Sequence, residues 1–134
     1  MSGTSFALFE LRSVSIKDSM GNLRTNFSSS ENLTISAEVY NAEAIDRIYF
    51  TYVLTDPTGR EVFRNTGTSI PGTAGAGGAS LSNILINSFY TTFGYYKLTV
   101  EAKSGADSVS KSLDFRIYMP QITLSYPVDG TRDI

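Results

Sequence analysis

Hydrophobic and polar positions alternate with a period of two through most of this chain, which is typical of β-strands that bury one face. The clearest run covers residues 32–40, where Leu33, Ile35, Ala37 and Val39 share one face and polar residues occupy the other. In residues 6–16 the phase of the alternation changes near Arg12, which predicts a bent first strand. The other predicted strands cover residues 46–55, 61–64, 81–86, 95–102 and 108–118.

About seven short strands separated by turns, with no convincing helix, are typical of an all-β, two-sheet antiparallel sandwich. Turn residues at 18–22, 56–59 and 104–107 separate these strands. We expect a bulge at Ser112 or its neighbour, and a long mobile loop over the glycine-rich residues 65–80. The core predicted from the alternation comprises Leu33, Ile35, Val39, Ile48, Phe50, Tyr52, Tyr96, Leu98, Val100, Phe115 and Ile117.

Composition narrows the range of functions for these 134 residues. The chain has no His, Cys or Trp and a net charge of −2. Without His and Cys it lacks the usual zinc, haem and iron–sulfur ligands and the Ser-His-Asp and Cys-His mechanisms. The weak net charge argues against nucleic-acid binding, which needs clustered Lys and Arg. We therefore expect no enzymatic activity, no cofactor and no metal, and the absence of a long apolar run argues against membrane insertion.

The start of the sixth predicted strand carries a motif with a known counterpart. Gly94, Tyr96 and Leu98 follow the Gly-x-Tyr-x-Cys pattern of strand F in immunoglobulin-like domains, with Leu98 in place of the cysteine. The chain thus resembles the disulfide-free bacterial and archaeal relatives of the immunoglobulin and fibronectin type III sandwiches. This resemblance implies that Gly94 and Tyr96 form a tyrosine corner, in which the tyrosine hydroxyl bonds to nearby backbone. It also implies strands A, B and E in one sheet and C′, C, F and G in the other.

A second resemblance lies near the C-terminus and bears on the domain organisation. Residues 120–130 resemble the Pro-x-Ile-x-Leu-x-x-Pro-x-x-Gly segment with which many tandem surface proteins begin their next sandwich. We expect a domain over residues 1–119 and, over residues 120–134, a linker or the first strand of a following domain. A frayed tail, or a strand added to the edge of this domain's own sheet, is the alternative. The hydroxyl-rich, lysine-poor composition favours an extracellular or cell-surface location.

Several groups of residues could in principle form a catalytic or binding site. The 13 carboxylates are scattered, among them Glu43, Asp46, Asp56 and Glu61, and solvated loop charges are more common than a glycosidase pair. The pairs Asp18/Asn22 and Asp129/Asp133 are too sparse for calcium. Residues 72–80 do not have the spacing of a phosphate-binding loop. A possible contact surface for a glycan comprises Tyr40, Tyr49, Tyr90, Tyr95 and Tyr118.

The sequence therefore supports two functional hypotheses. The first is a non-catalytic immunoglobulin-like spacer and interaction module of a multi-domain cell-surface or secreted protein, whose partners are neighbouring domains of the same chain. The second is an accessory binding module for a carbohydrate or a surface-layer protein. A row of coplanar tyrosines on the surface would favour the second hypothesis, and an acidic cleft would favour an enzyme instead.

Overall fold

The computed structural model describes residues 9–86 and 92–118. Within these ranges the protein consists of β-strands joined by turns. The strands are β1 (Glu10–Lys17), β2 (Asn26–Ser28), β3 (Asn32–Asn41), β4 (Ile48–Thr55), β5 (Glu61–Ile70), β6 (Gly75–Leu85), β7 (Gly94–Ser104) and β8 (Asp107–Tyr118).

The strands form two sheets that enclose one core. One sheet has the order β1-β3-β6 and the other has the order β2-β8-β7-β4-β5. The fold is therefore an all-β sandwich, and the predicted division of strands A, B and E from C′, C, F and G is confirmed. The turns predicted at 18–22, 56–59 and 104–107 are also present.

The sequence did not predict β2, a strand of three residues that pairs in parallel with the end of β8. Its central residue, Phe27, is fully buried and meets Phe115 edge to face, with ring centroids 6.2 Å apart. So short a run has no recognisable alternation, and only the packing of Phe27 between the sheets fixes it as a strand.

The core lies between the inner faces of the two sheets. Every residue of the predicted core is buried, so that prediction is confirmed. The inner faces interdigitate because each strand presents every second side chain to the opposite sheet. The core also includes Phe9, Leu11, Ile16, Phe27, Ala37, Leu54, Ile84, Ile86 and Ala102.

The prediction of a long loop over residues 65–80 is wrong. Strand β5 continues to Ile70 and pairs with β4, and β6 begins at Gly75 and pairs with β3. Strand pairing satisfies backbone donors and acceptors whatever the side chains are, so it overrides the low strand propensity of glycine here. Gly78 also has a positive role, because a Cβ at this position would lie 2.8 Å from the carbonyl oxygen of Ala37.

The expected bulge near Ser112 is absent. The pairing of β7 with β8 runs without a register shift from Gly94↔Ile117 to Ser104↔Asp107. Val109 and Leu113 keep the same phase as the buried end of β8, and the exposed Lys111 between them merely interrupts the apolar pattern. The change of phase near Arg12 is real, because the pairing of β1 with β3 shifts between Leu11 and Ser13. The proposed domain boundary at 119/120 lies outside the described residues.

Candidate functional site

The buried side chain of Tyr96 connects the start of β7 to the segment before it. Its hydroxyl donates a hydrogen bond to the carbonyl oxygen of Thr92, with 2.7 Å between the oxygens. The ring packs against Phe115 with centroids 5.7 Å apart. Burial, and then the nearby negative charge of Asp56, raise the pKa of Tyr96. This pKa direction keeps the hydroxyl protonated and able to donate, which is a structural role.

Gly94 is required beside Tyr96 for two reasons. Its φ of +137° is one that residues with a side chain rarely adopt, and a Cβ there would lie 3.1 Å from Cγ of Pro57. Pro57 belongs to the turn between β4 and β5, whose buried Asp56 accepts hydrogen bonds from the backbone amides of Thr58 and Arg60. The hydrogen bond from the Thr58 hydroxyl is the main reason why the pKa of Asp56 is lowered. Asp56 thus organises its own turn.

The structure divides the predicted tyrosine surface between the two sheets. Tyr49 and Tyr95 are both exposed on the five-stranded sheet, but Tyr49 pairs with Lys103 and Tyr95 with Arg116, near opposite ends of β7. Tyr118, at the end of β8, lies near Tyr95, and the Arg116 guanidinium lies 6.0 Å from the centroid of its ring. Tyr90 lies outside the described residues.

Tyr40 lies on the other sheet and is covered on one ring face. The guanidinium of Arg12 lies 4.1 Å from the centroid of the Tyr40 ring, in a cation–π geometry. The bulge at Arg12 accompanies this contact. A sugar ring would therefore have to displace Arg12 to stack on that face.

The outer face of the β1-β3-β6 sheet instead carries a groove rich in hydroxyl groups, of about 470 Å³. Ser13 donates a hydrogen bond to Oε1 of Glu38 at 3.2 Å, and the hydroxyls of Ser36 and Ser80 lie 2.9 Å apart. Small residues on β6, such as Gly78, leave room above the outer face of the sheet. Sequence reasoning missed this groove, because the serines lie on three strands that are distant along the chain.

A larger open cleft, of about 860 Å³, lies between β1 and β8. Most of the exposed area of its lining is apolar and comes from residues that include Val14, Ile16, Leu23 and Leu113, and the cations Lys17 and Arg24 also line it. The cleft exists because β2 covers only the last three residues of β8. No carboxylate lines this cleft among the residues that the structure describes.

A charged cluster that the sequence reasoning also missed holds the connection between β1 and β2. The Arg24 guanidinium donates to Glu31 Oε1 at 2.6 Å and to Asp18 Oδ2 at 3.3 Å, and also to the carbonyl oxygen of Asn26 at 2.8 Å. The hydrogen bond from Arg24 is the largest cause of the lowered pKa of Glu31. The Asn22 backbone amide has the largest effect in lowering the pKa of Asp18. The residues lie within 14 positions of each other, but no sequence motif marks them.

The four carboxylates weighed from the sequence do not share a cleft. Asp56 is buried in its own turn, Glu61 pairs with Arg64 at 2.9 Å, and Glu43 and Asp46 are exposed on the connection between β3 and β4. The carboxyl groups of Asp18, Glu31, Asp56 and Glu61 all have pKa values below their ordinary values. Over residues 9–86 and 92–118, no three acidic side chains gather in a way that could hold a metal ion.

In the part of the chain that the structure describes, no helix has the length and apolar character needed to cross a membrane.

This chain has the same fold as several proteins of known structure, although its sequence is not similar to theirs. No protein-family model matches this chain. No curated protein matches it either. Among solved structures, the C-terminal domain of wzt superposes with a TM-score of 0.65 and 8% sequence identity. That superposition covers 87% of this chain and 77% of the wzt chain.

Two glycosidases contain a similar domain as a small part of a longer chain. A β-glucuronidase from Parabacteroides merdae superposes with a TM-score of 0.54 and 15% identity over 82% of this chain and 13% of its own. A β-glucosidase from Listeria innocua superposes with a TM-score of 0.54 and 17% identity over 89% of this chain and 17% of its own. At these identities the likeness establishes the fold alone, and this chain spans only a small part of either glycosidase.

Proposed function

We propose that this chain is a non-catalytic, immunoglobulin-like interaction module of a larger cell-surface or secreted protein. The main support is that the same fold forms 13% of the β-glucuronidase chain and 17% of the β-glucosidase chain, as one part of a longer protein. A C-terminal domain, that of wzt, also has this fold. In each of these cases the sandwich is one unit of a longer protein, and a module of this kind serves its neighbours by position and contact.

The described clefts support a non-catalytic role. The larger cleft is lined by apolar side chains together with uncharged polar residues and the cations Lys17 and Arg24. The smaller groove contains a single carboxylate, Glu38, beside Lys17 and among serines, glycines and alanines. Glycoside hydrolysis by the usual mechanism needs two carboxyl groups facing one bond, one of them with a raised pKa. Neither cavity brings two carboxyl groups together.

The first experiment tests the absence of catalysis. Purified protein is incubated with chromogenic glycosides and oligosaccharides, and product is measured for the parent chain and for Glu38→Gln. We expect no turnover from either protein. Turnover that Glu38→Gln abolishes would contradict the proposal, because it would make Glu38 a catalytic group.

The hydroxyl-lined groove supports a second candidate, an accessory module that binds a carbohydrate. Ser13, Ser36, Ser80 and Glu38 offer donors and acceptors along an open surface that Lys17 also lines, which suits the hydroxyl groups of a sugar chain. Two of the proteins with a similar fold are named as glycosidases. The tyrosines add little to this candidate, because Tyr95, Tyr118 and Tyr49 lie on the other sheet and Arg12 covers one face of the Tyr40 ring.

Calorimetric titration with oligosaccharides tests the second candidate. Ser36→Val replaces a hydroxyl group of the groove by a larger apolar side chain, and Ser110→Val makes the same change on the exposed outer face of β8. Saturable binding that Ser36→Val weakens and Ser110→Val preserves would support a glycan site in the groove. Binding that both variants preserve would exclude the groove as the glycan site.

A further inference from the structure

Most of strand β8 is an open edge of the five-stranded sheet. Strand β2 pairs only with residues 116–118, and among the described residues 107–115 pair with β7 alone. Beside this edge lies the cleft of about 860 Å³ that separates β8 from β1. Clefts that bind ligands have volumes of about 300–1,000 Å³, so this one is large enough to hold a short peptide segment.

The backbone of this edge is oriented for pairing with a further strand. The amide of Arg116 donates a hydrogen bond to the carbonyl oxygen of Thr25 at 2.7 Å, so its N–H group points away from β7. The pairing of β7 with β8 contains no shift of register, and antiparallel pairing alternates residue by residue. Ser112 and Asp114 therefore turn their backbone N–H and C=O groups in the same outward direction. Only another backbone offers donors and acceptors at this spacing, and strand addition gains its affinity from such bonds.

The inner face of the open part of β8 is only partly covered. Phe115 and Ile117, near β2, are buried, whereas Val109 and Leu113 are half-buried. Lys111 has the same inward phase but is exposed. An added strand would cover more of the two apolar side chains, which is favourable because it removes apolar surface from water. Its own inward side chains would face an apolar, a basic and an apolar residue in turn.

The charges along this open edge favour an acidic partner. Neither Lys111 nor Lys17, which lines the cleft, has an ion pair among the described residues. Arg24 also lines the cleft, but two carboxylates already neutralise it. Asp107 shares the phase of Lys111 but lies four residues away, about 13 Å along the strand. Asp114 is exposed on the outer face, where it pairs with the position of a lysine on β7.

We propose that the open edge of β8 binds an extended acidic segment of a partner protein by strand addition, which rests on the proposed role as an interaction module. The segment has a carboxylate flanked by apolar residues two positions away on each side. The carboxylate lies opposite Lys111, and the apolar residues lie opposite Val109 and Leu113. Opposite charges that face each other across a strand pair stabilise it.

Lys111 sets the specificity of this edge. A charge of inward phase normally keeps an edge strand unpaired, so a strand that brings an apolar residue or a cation opposite Lys111 is rejected. A second copy of this chain does not meet the requirement either. Two β8 edges paired across a two-fold axis near Lys111 would bring like charges together, which destabilises a strand pair.

Fluorescence anisotropy with two labelled synthetic peptides tests the proposal. One peptide has Val-Thr-Glu-Thr-Val at its centre, and the other has lysine in place of the glutamate. The 134-residue chain should bind the first peptide saturably and the second about tenfold more weakly. Lys111→Glu should reverse this preference, because it exchanges the sign of the charge that the peptide faces.

Lys103→Glu is the matched control, because it makes the same charge reversal on the exposed outer face of β7. It should leave both affinities unchanged, and thermal unfolding should show that both variants remain folded. Backbone N-methylation of the glutamate peptide at every second residue removes N–H donors in one of two phases. One phase should abolish binding and the other should not, because only alternate residues turn their N–H groups towards β8.

A parent chain that binds neither peptide, or binds both equally, would overturn the proposal. So would a preference that Lys111→Glu leaves unchanged or that Lys103→Glu alters as much. Binding that neither methylated peptide loses would show a diffuse charge attraction instead of strand addition. None of these results bears on the turnover of glycosides, so failure of this proposal is distinguishable from failure of the proposed function.

Discussion

The hydroxyl of Tyr96 lies 2.7 Å from the carbonyl oxygen of Thr92, so a buried side chain fixes the segment that leads into β7. A second buried tyrosine, Tyr52 of β4, has no hydrogen-bond partner for its hydroxyl among the described residues. Burial raises the pKa of Tyr52 to about 12. The two residues therefore offer a direct comparison of a satisfied and an unsatisfied phenol in one core.

Tyr96→Phe should lower the free energy of unfolding by about 1 kcal/mol or slightly more, because it removes a buried hydrogen bond and leaves the Thr92 carbonyl without its donor. Urea denaturation followed by tyrosine fluorescence or circular dichroism measures this change. An unchanged midpoint of unfolding would show that the hydrogen bond adds nothing to stability.

Tyr52→Phe should leave the free energy of unfolding unchanged or raise it by up to about 1 kcal/mol, because it removes a polar group buried without a partner. Tyr52 stacks on Phe50 at 6.1 Å between centroids, and phenylalanine keeps that contact. Urea denaturation of this variant measures the change in the free energy of unfolding. A loss as large as that of Tyr96→Phe would indicate a bound water or another acceptor for the Tyr52 hydroxyl.

Gly94→Ala should destabilise the protein by about 1–3 kcal/mol, because a side chain is strained at this backbone conformation. The contact with Cγ of Pro57 adds to the strain. Gly67→Ala in β5 is the control, since Gly67 does not have a positive φ and a Cβ there would have no neighbour within 4 Å. Thermal unfolding of both variants gives the comparison, and equal melting temperatures would contradict the account of Gly94.

Asn41→Ala should lower the free energy of unfolding by about 1–2 kcal/mol, because it removes the hydrogen bonds of a buried amide. The Gly72 carbonyl oxygen keeps one donor, the backbone amide of Ile45. The Asn41 amide nitrogen lies 2.9 Å from the carbonyl oxygen of Glu43, 3.2 Å from that of Gly72 and 3.0 Å from that of Thr73. These contacts tie the β5–β6 connection to the end of β3. Hydrogen exchange should show faster opening around Thr73, and an unchanged exchange rate there would argue against this role.

Acid should weaken the connection between β1 and β2. Arg24 and backbone amides lower the pKa values of Glu31 and Asp18 in the folded state. A carboxyl group with a depressed folded-state pKa stabilises the protein above its unfolded-state pKa and loses that contribution as the pH falls through the folded-state value. Stability should therefore decline as the pH falls below about 4.5.

Glu31→Gln should be less stable than the parent chain at pH 7, and the two stabilities should converge as the pH falls. Glu43→Gln is the control, since Glu43 is exposed and has no ion pair among the described residues. Urea denaturation at a series of pH values gives both curves. Parallel curves for Glu31→Gln and the parent chain would show that the Arg24 cluster does not contribute to the acid sensitivity.

The amino-acid sequence by itself determined the all-β class and most of the core, whereas the grouping of the strands into two sheets followed only from the resemblance to immunoglobulin-like sandwiches. Alternation with a period of two is a local property, and it states directly which side chains face inward, as in β3 and β7. The change of phase at Arg12 could be read from the sequence for the same reason. The turn at Asp56–Gly59 could also be predicted from the sequence, because proline restricts the backbone angle φ and glycine permits positive values of φ.

Only the tertiary structure decided the rest. Residues 65–80 carry few apolar side chains, and they form strands because β3 and β4 offer backbone partners, which local pattern cannot show. Phe27 becomes a strand residue because a space between the sheets accepts its ring. The groove of serines depends on which strands become neighbours. That choice rests on contacts between distant parts of the chain, for which the sequence carries no local signal.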